Sequence, residues 1–322
     1  MAVLRWGLIG AGDIAQKRVA PALRDLSNCD FVSVSRSRHE LAESFAREFG
    51  VRKWFGDWRE QIADEIDAVY IATPVYLHAE QTIAAANAGK HVLCEKPMAL
   101  DTKECDEMIA ACHTNNVKLG IAYYRRFYPL IVRVREIIES GQIGQVAVVQ
   151  INAFEYFDPP ADHPRRWLLD REKSGGGPLI DFGCHRIEIL THLFGTVAQS
   201  EAMVSNEIFS REVEDTAAVL LRFENGASAS VTVTHAAIEP QDTLDIYGTK
   251  GSIHIPILNG SEIAIRSGGS SRIEKHEPAA NVHQPLIEDF TSSVLSGREP
   301  QIDGETGREI SRLIEYVYQR KQ

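Results

Sequence analysis

Three residues in succession, Glu95, Lys96 and Pro97, follow a short apolar run, His91-Val92-Leu93-Cys94. An acid and a base set at the end of a buried strand face whatever binds there, because ligands of open α/β sheets sit outside the carboxyl ends of the strands. An ammonium in that place suits the stabilisation of negative charge on a reacting oxygen. The proline restricts the backbone beside the lysine, and an X-Pro bond is the realistic place for a cis peptide. Far downstream, Asp181 and His185 stand four apart in a predicted helix and share a face. Imidazole beside carboxylate is the usual pairing for proton movement near neutral pH. Gly175-Gly176-Gly177-Pro178 opens that helix, and Gly183 keeps its surface low for a ligand to lie across. The competing reading is a purely structural Asp–His pair.

A third set of residues says what could meet these groups. Leu4 to Ala11 reads as a strand that enters Gly10-Ala11-Gly12-Asp13-Ile14-Ala15, the G-x-G-x-x-G/A pattern. Gly10 allows the tight turn, Gly12 lets a pyrophosphate approach bare backbone at a helix N-terminus, and Ala15 permits close helix–strand packing. The expected ligand is a dinucleotide. An NAD-type protein places an acid about 20 residues later to hold the ribose 2′-hydroxyl. Here the next strand ends in Ser35, followed by Arg36, Ser37 and Arg38, with no acid at its tip. Guanidinium groups pair with a 2′-phosphate, so NADP is expected, with NAD still possible.

The elements that must position these groups alternate regularly over the first 122 residues. Asp13 to Leu26, His39 to Phe49, His78 to Ala88 and Thr102 to Asn115 read as helices between apolar strands. This predicts a parallel, doubly wound sheet. The strand from Asp67 to Ala72 ends in Thr73-Pro74, which opens a loop on the cofactor side. His78, at the following helix start, is a cofactor-side candidate or a polar cap. Tyr124 and Arg126, where this domain ends, are candidates for lining the substrate cleft, with a surface patch at the boundary as the competing reading; Tyr124 is counted among the substrate-binding residues.

After residue 125 the period changes. Val146 to Phe157, Ala198 to Asn206, Thr216 to Phe223, Ser228 to His235, Thr243 to Tyr247 and Ser252 to Ile255 read as strands with tight turns between them. They predict a large, mostly antiparallel sheet. Ser267-Gly268-Gly269-Ser270-Ser271 reads as a short flexible loop. The expected division is a dinucleotide-binding domain over 1–122 and a substrate-binding and oligomerisation domain over 123–322. His185, Glu188 and His192 have a spacing that permits metal ligation, but a carboxylate serving His192, or a surface pair, is the favoured reading, and no metal is expected.

Composition excludes other classes. The formal net charge of −11 is a poor match for phosphate backbones, so nucleic acid is not an expected partner. No apolar run nears the roughly 20 residues of a membrane span, and the start resembles no signal peptide. Five cysteines without zinc-like pairing fit a reducing cytoplasm.

Taken together, these motifs resemble the glucose–fructose oxidoreductase, inositol dehydrogenase and rhizopine-catabolism (Gfo/Idh/MocA) family. The matching stretches are Gly7 to Ala15, Ala72-Thr73-Pro74, Ala88 to Pro97, Tyr124-Arg125-Arg126-Phe127, Gly175-Gly176-Gly177 with Asp181, Gly183 and His185, and Tyr247 to Gly251. The resemblance implies a Rossmann domain followed by an α/β domain whose open sheet often joins copies into dimers or tetramers. It also implies reactions of sugars, cyclic polyols or their ketones with NAD or NADP. The family's lysine falls on Lys96, its aspartate on Asp181, its histidine on His185, and the acid that contacts nicotinamide ribose on Glu95. Val75 departs from the asparagine often found after Thr-Pro.

The expected function is therefore an NADP-dependent oxidoreductase, with Phe154, Arg166 and Trp167 as a sugar wall. Two alternatives compete: an NAD-dependent inositol or dihydrodiol dehydrogenase, and a nucleotide-binding sensor without catalysis.

Overall fold

The computed structural model describes residues 2–319. They form two compact units: the chain up to Tyr124 with Ala279–Ser311, and Arg125–Pro278 with the segment from Arg312 onward. The expected second domain thus gives up Ala279–Ser311 to the first unit.

The first unit is built on six strands: β1 (Leu4–Ile9), β2 (Cys29–Ser35), β3 (Lys53–Phe55), β4 (Ala68–Ile71), β5 (His91–Cys94) and β6 (Leu119–Ile121). Their order is β3-β2-β1-β4-β5-β6, and every pairing is parallel. This is the dinucleotide-binding order, which reverses between β1 and β4. Helices on both faces explain why the strands read as unbroken apolar runs. All four residues of β4 are buried, as are Val92, Leu93 and Cys94 of β5. The helix Gln284–Ser296 also belongs here, its Phe290 packed 5.6 Å from Trp6, centroid to centroid. Two large aromatic side chains out of water stabilise this docking by about 1.5–3 kcal/mol each.

The second unit holds an eight-stranded sheet: β7 (Val146–Tyr156), β8 (Val197–Ser205), β9 (Thr216–Phe223), β10 (Ser228–Thr234), β11 (Ala236–Gly248), β12 (Gly251–Ile255), β13 (Glu262–Ser267) and β14 (Ser270–Lys275). The order is β14-β13-β12-β11-β7-β10-β9-β8. All pairs are antiparallel except β7 with β10. β9 and β10 alternate strictly between buried and wetter positions, so one face meets helices and the other stays open. The open face carries Val148, Met203, Leu220 and Tyr247 as exposed apolar side chains.

Two local readings need correction. The glycine pair at 268–269 is the turn of the β13–β14 hairpin rather than a flexible loop, because both glycines take the positive φ that a tight reversal requires. The strand placed at Thr243 to Tyr247 runs from Ala236, its polar start Glu239-Pro240-Gln241-Asp242 hiding its strand character. The register with β7 shifts between Ala236 and Gln241, which absorbs Pro240 as an irregularity.

Among the described residues, no helix is long and apolar enough to cross a membrane.

Candidate functional site

In the first unit, the residues expected to meet a dinucleotide lie on the carboxyl edge of one sheet. Gly10 follows β1, Ser35 ends β2, Thr73-Pro74 follows β4, and Glu95-Lys96 follows β5. Gly10 has φ +94°, and a Cβ there would lie 2.8 Å from the backbone of Ala72, so the ends of β1 and β4 touch where the strand order reverses. At Gly12 a Cβ would meet nothing within 4 Å, which leaves bare backbone at the helix start. Gln16 N–H already bonds the Gly12 carbonyl (3.0 Å), and Ala15–Val19 continues as a π-helical turn. Ile14 is exposed, and Asp13 pairs with Lys17 at the surface (2.7 Å).

The tip of β2 carries the second cofactor observation. Ser35 is buried and its Oγ has no hydrogen-bond partner. Arg36 is half-buried and Arg38 exposed. Burial, then the like charge of Arg38, pulls the Arg36 guanidinium below its ordinary range. Two cations held against each other beside an unsatisfied hydroxyl fit an incoming phosphate. The opening glycines fit a dinucleotide of either kind.

Glu95 is more deeply engaged than its position in the sequence suggests. It is 7% exposed, accepts a hydrogen bond from Tyr70 (2.7 Å) and another from the Lys96 amide (3.2 Å), and lies 3.5 Å from the His283 ring. Burial alone would push this carboxyl up; His283, Tyr70 and the Lys96 charge outweigh it and hold the group below the usual carboxylate range. Tyr124 stacks on His283 with centroids 4.3 Å apart. His283 went unnoticed in the sequence, where it is an isolated histidine before a C-terminal helix. Its service to Glu95 is visible only in three dimensions.

His78 braces rather than caps. Its side chain makes no cap bond, and its ring nitrogens lie 2.9 Å from the Pro97 carbonyl and 2.8 Å from that of Thr73. It is buried, so it ties the Thr73-Pro74 turn to the Lys96–Pro97 bond, which is cis. Burial lowers its basicity. Val75 is 3% exposed, so this position offers packing and no polar group.

In the second unit, Asp181 lies in a π-helical turn, Leu179–Gly183, and His185 begins the α-helix Cys184–Phe194. The helix start is held by Glu214, whose carboxylate accepts from Gly177 N–H (2.8 Å), Leu179 N–H (3.1 Å) and the Tyr318 hydroxyl (2.8 Å). These oxygens satisfy amides that a helix start leaves without intrahelical acceptors, while burial raises the carboxyl above its ordinary range. A Cβ on Gly177 would lie 2.1 Å from the Glu214 carbonyl oxygen, so the glycine run serves this close approach. Gly183 is likewise buried, and a Cβ there would press on Leu179 and Val233. The expectation that it lowers a ligand-facing surface is corrected: it lets the helix pack on β10.

His185 is 3% exposed and Asp181 half-buried. Asp181 accepts from Arg165 (3.3 Å), and the His235 Nε2 lies 3.9 Å from it and 3.7 Å from Glu155. Ligand atoms of Glu155, Asp181 and His235 all lie within 4.8 Å of one another. None of Glu155, Arg165 and His235 was singled out from the sequence. Strand parity held a signal: in parallel register, Val233 pairs with Ala153, which aligns His235 with Glu155 on the helix-covered face.

The same parity removes Phe154 from this group. It pairs with Thr234 and points to the opposite face of β7 from Glu155. Arg166 is exposed and donates to the Pro159 carbonyl (2.5 Å), while Trp167 is half-buried in the short turn Arg166–Leu169. Arg126 and Glu188 form a buried pair (2.7 Å), not a surface one; burial, against the pull of Arg126, raises Glu188 to about 7. His192 is pushed to about 3 by burial and the nearby Arg126 and Arg135 charges.

An oxidoreductase family with an NAD-binding Rossmann fold, GFO/IDH/MocA, matches residues 4–123, and its C-terminal domain matches residues 131–254. The chain belongs to the GFO/IDH/MocA family. It is 33% identical over 294 residues to oxidoreductase P35 of Formosa agariphila, covering 88% of this chain and 89% of that one. It is 30% identical over 309 residues to the 1,5-anhydro-D-fructose reductase of Ensifer adhaerens, covering 94% and 92%. A levoglucosan dehydrogenase in complex with NADH and levoglucosan superposes with TM-score 0.90 at 27% identity, covering 98% and 96%. As a GFO/IDH/MocA protein, the chain is an NAD-binding oxidoreductase.

Proposed function

We propose that the protein transfers hydride between a nicotinamide and a sugar, cyclic polyol or related ketone, with NADP(H) preferred over NAD(H). One observation supports the nucleotide preference above others: Arg36 and Arg38 crowd the tip of β2 beside the unsatisfied Ser35 Oγ, with no acid in place. The polyol reading draws on relatives named for an anhydrofructose, an inositol and levoglucosan.

In this reading Gly10, Gly12, Asp13 and Ile14 receive the pyrophosphate, Thr73 and Pro74 border the ring, and Glu95 takes the nicotinamide ribose. The bound cofactor supplies or accepts the hydride. Lys96 stabilises negative charge on the reacting oxygen, His185 carries that oxygen's proton, and Asp181 takes a neighbouring hydroxyl. His78 acts indirectly, by fixing the backbone on either side of the ring site. Arg166 and Trp167 border the substrate. Copies of the chain join as a dimer or tetramer through the open sheet face, where Val148, Met203, Leu220 and Tyr247 are exposed.

The test is NADPH and NADH absorbance with a panel of aldoses, inositols and cyclic ketones. Lys96→Ala and His185→Ala are expected to lower kcat by about 10²–10⁴-fold while NADPH binding, read by fluorescence, persists. Full turnover in both variants removes these roles. Nucleotide binding with no turnover on any substrate favours the sensor.

A further inference from the structure

The His235 ring is wholly buried, between the rings of Phe157 (centroids 5.1 Å) and Phe182 (5.3 Å). Its Nδ1 lies 2.8 Å from the Arg211 guanidinium. Arginine only donates, so Nδ1 must accept, and the neutral ring must carry its proton on Nε2. Arg211 cannot turn away easily, since it also donates to the carbonyls of Phe157 (2.9 Å) and Glu214 (3.2 Å). Burial, with the charges of Arg211 and Arg165 opposing Asp181, holds the ring near pKa 4, so it is neutral at physiological pH. The result is a fixed N–H donor whose nitrogen has no hydrogen-bond partner and faces two carboxylates 3.7 and 3.9 Å away.

A metal ion would not suit this triangle, although its ligand types invite one. Ligation through Nε2 requires the proton on Nδ1, where it would confront the Arg211 N–H. A second guanidinium, Arg165, already bonds Asp181. A hydroxyl suits it in every respect. Its oxygen can accept from Nε2–H and its proton can go to Asp181 or Glu155. No edge of the triangle exceeds 4.8 Å, so an oxygen at about 2.8 Å from each corner fits astride it. The Glu155 side chain is 42% exposed, although its Oε1, the atom nearest His235, is buried.

We propose that His235, with Asp181 and Glu155, forms a binding subsite for one hydroxyl of a polyhydroxylated substrate. It deepens the polyol reading above and rests on it for the identity of the ligand. The subsite demands a group that both accepts and donates, so it discriminates against deoxy and ketone analogues at that carbon.

The first measurement needs no turnover. In ¹⁵N spectra of histidine-labelled protein, the signal lost in His235→Gln should show a protonated Nε2 and a bare Nδ1, and its Nε2 should move on adding molar glycerol. A proton on Nδ1, or no movement, overturns the proposal. With the best polyol of the panel, His235→Phe should raise KM about 10–100-fold with a smaller change in kcat. His235→Gln, which keeps an N–H near the Nε2 position, should recover part of the loss. One monodeoxy analogue should bind worse than its parent in the wild type and equally in His235→Phe. An unchanged KM in folded His235→Phe, or stoichiometric Mn²⁺ binding that this variant abolishes, refutes the subsite. Failure of every substrate to react sinks the oxidoreductase reading alone, since the nitrogen spectrum still decides where the proton sits.

Discussion

Replacing Arg36 by alanine tests the nucleotide preference most directly. The two arginines at the end of β2 should contribute unequally. Arg36 is half-buried and pressed by Arg38, so a 2′-phosphate would relieve a repulsion that the free protein sustains. A hydrogen bond to a charged group contributes about 1.5–3 kcal/mol. At 1.4 kcal/mol per tenfold, Arg36→Ala should cut the ratio of kcat/KM for NADPH over NADH by about 10–100-fold. Arg38 is exposed and screened, so Arg38→Ala should cost less than about 5-fold. The assay is initial-rate kinetics with both nucleotides at low salt and near 0.15 M, where screening acts over about 8 Å. The Arg38 effect should shrink with salt more than the Arg36 effect. A ratio that Arg36→Ala leaves unchanged, or a wild type that prefers NADH, refutes the reasoning.

Two further expectations concern the second unit. Gly177→Ala would place a Cβ 2.1 Å from the Glu214 carbonyl oxygen, so the helix start must shift; overpacking of this kind costs about 1–3 kcal/mol, read as a lower urea midpoint. An unmoved midpoint contradicts the close-approach role. Glu188 is raised from 4.5 to about 7, so the native state holds a proton that the unfolded chain releases. The linked stability is full below pH 4.5 and is lost as pH rises through 7, amounting to about 3 kcal/mol. Glu188→Gln should flatten that fall between pH 5 and pH 8 in urea titrations, and an equal slope in both proteins counts against it.

What could be read in the sequence followed from short-range rules. Gly10 and Gly12 after an apolar strand announced the nucleotide turn, and alternating helices and strands gave the parallel sheet. Residues that depend on a partner far along the chain stayed hidden. Nothing near Glu95 announces His283, and nothing near Asp181 announces Arg165, Glu155 or His235. Gly177 and Gly183 were legible as glycines but not as contacts, because the reason for each is a distant neighbour, Glu214 or Val233. Phe154 lies on the opposite face of β7 from Glu155, which follows from strand parity and not from its aromatic type. The β11 start was missed because its polar run overrides local strand propensity, which tertiary pairing with β7 then restores.

The return of Ala279–Ser311 to the first unit has a consequence for biosynthesis. A ribosome releases the six strands early, yet Phe290, which covers Trp6, and His283, which serves Glu95, emerge after the whole second sheet. The nucleotide-binding unit therefore matures late, only after the whole second sheet has emerged. A fragment cut near Tyr124 would carry the glycine turn but leave an apolar wall wet and a carboxylate without its imidazole, which makes it a poor stand-in for the intact protein.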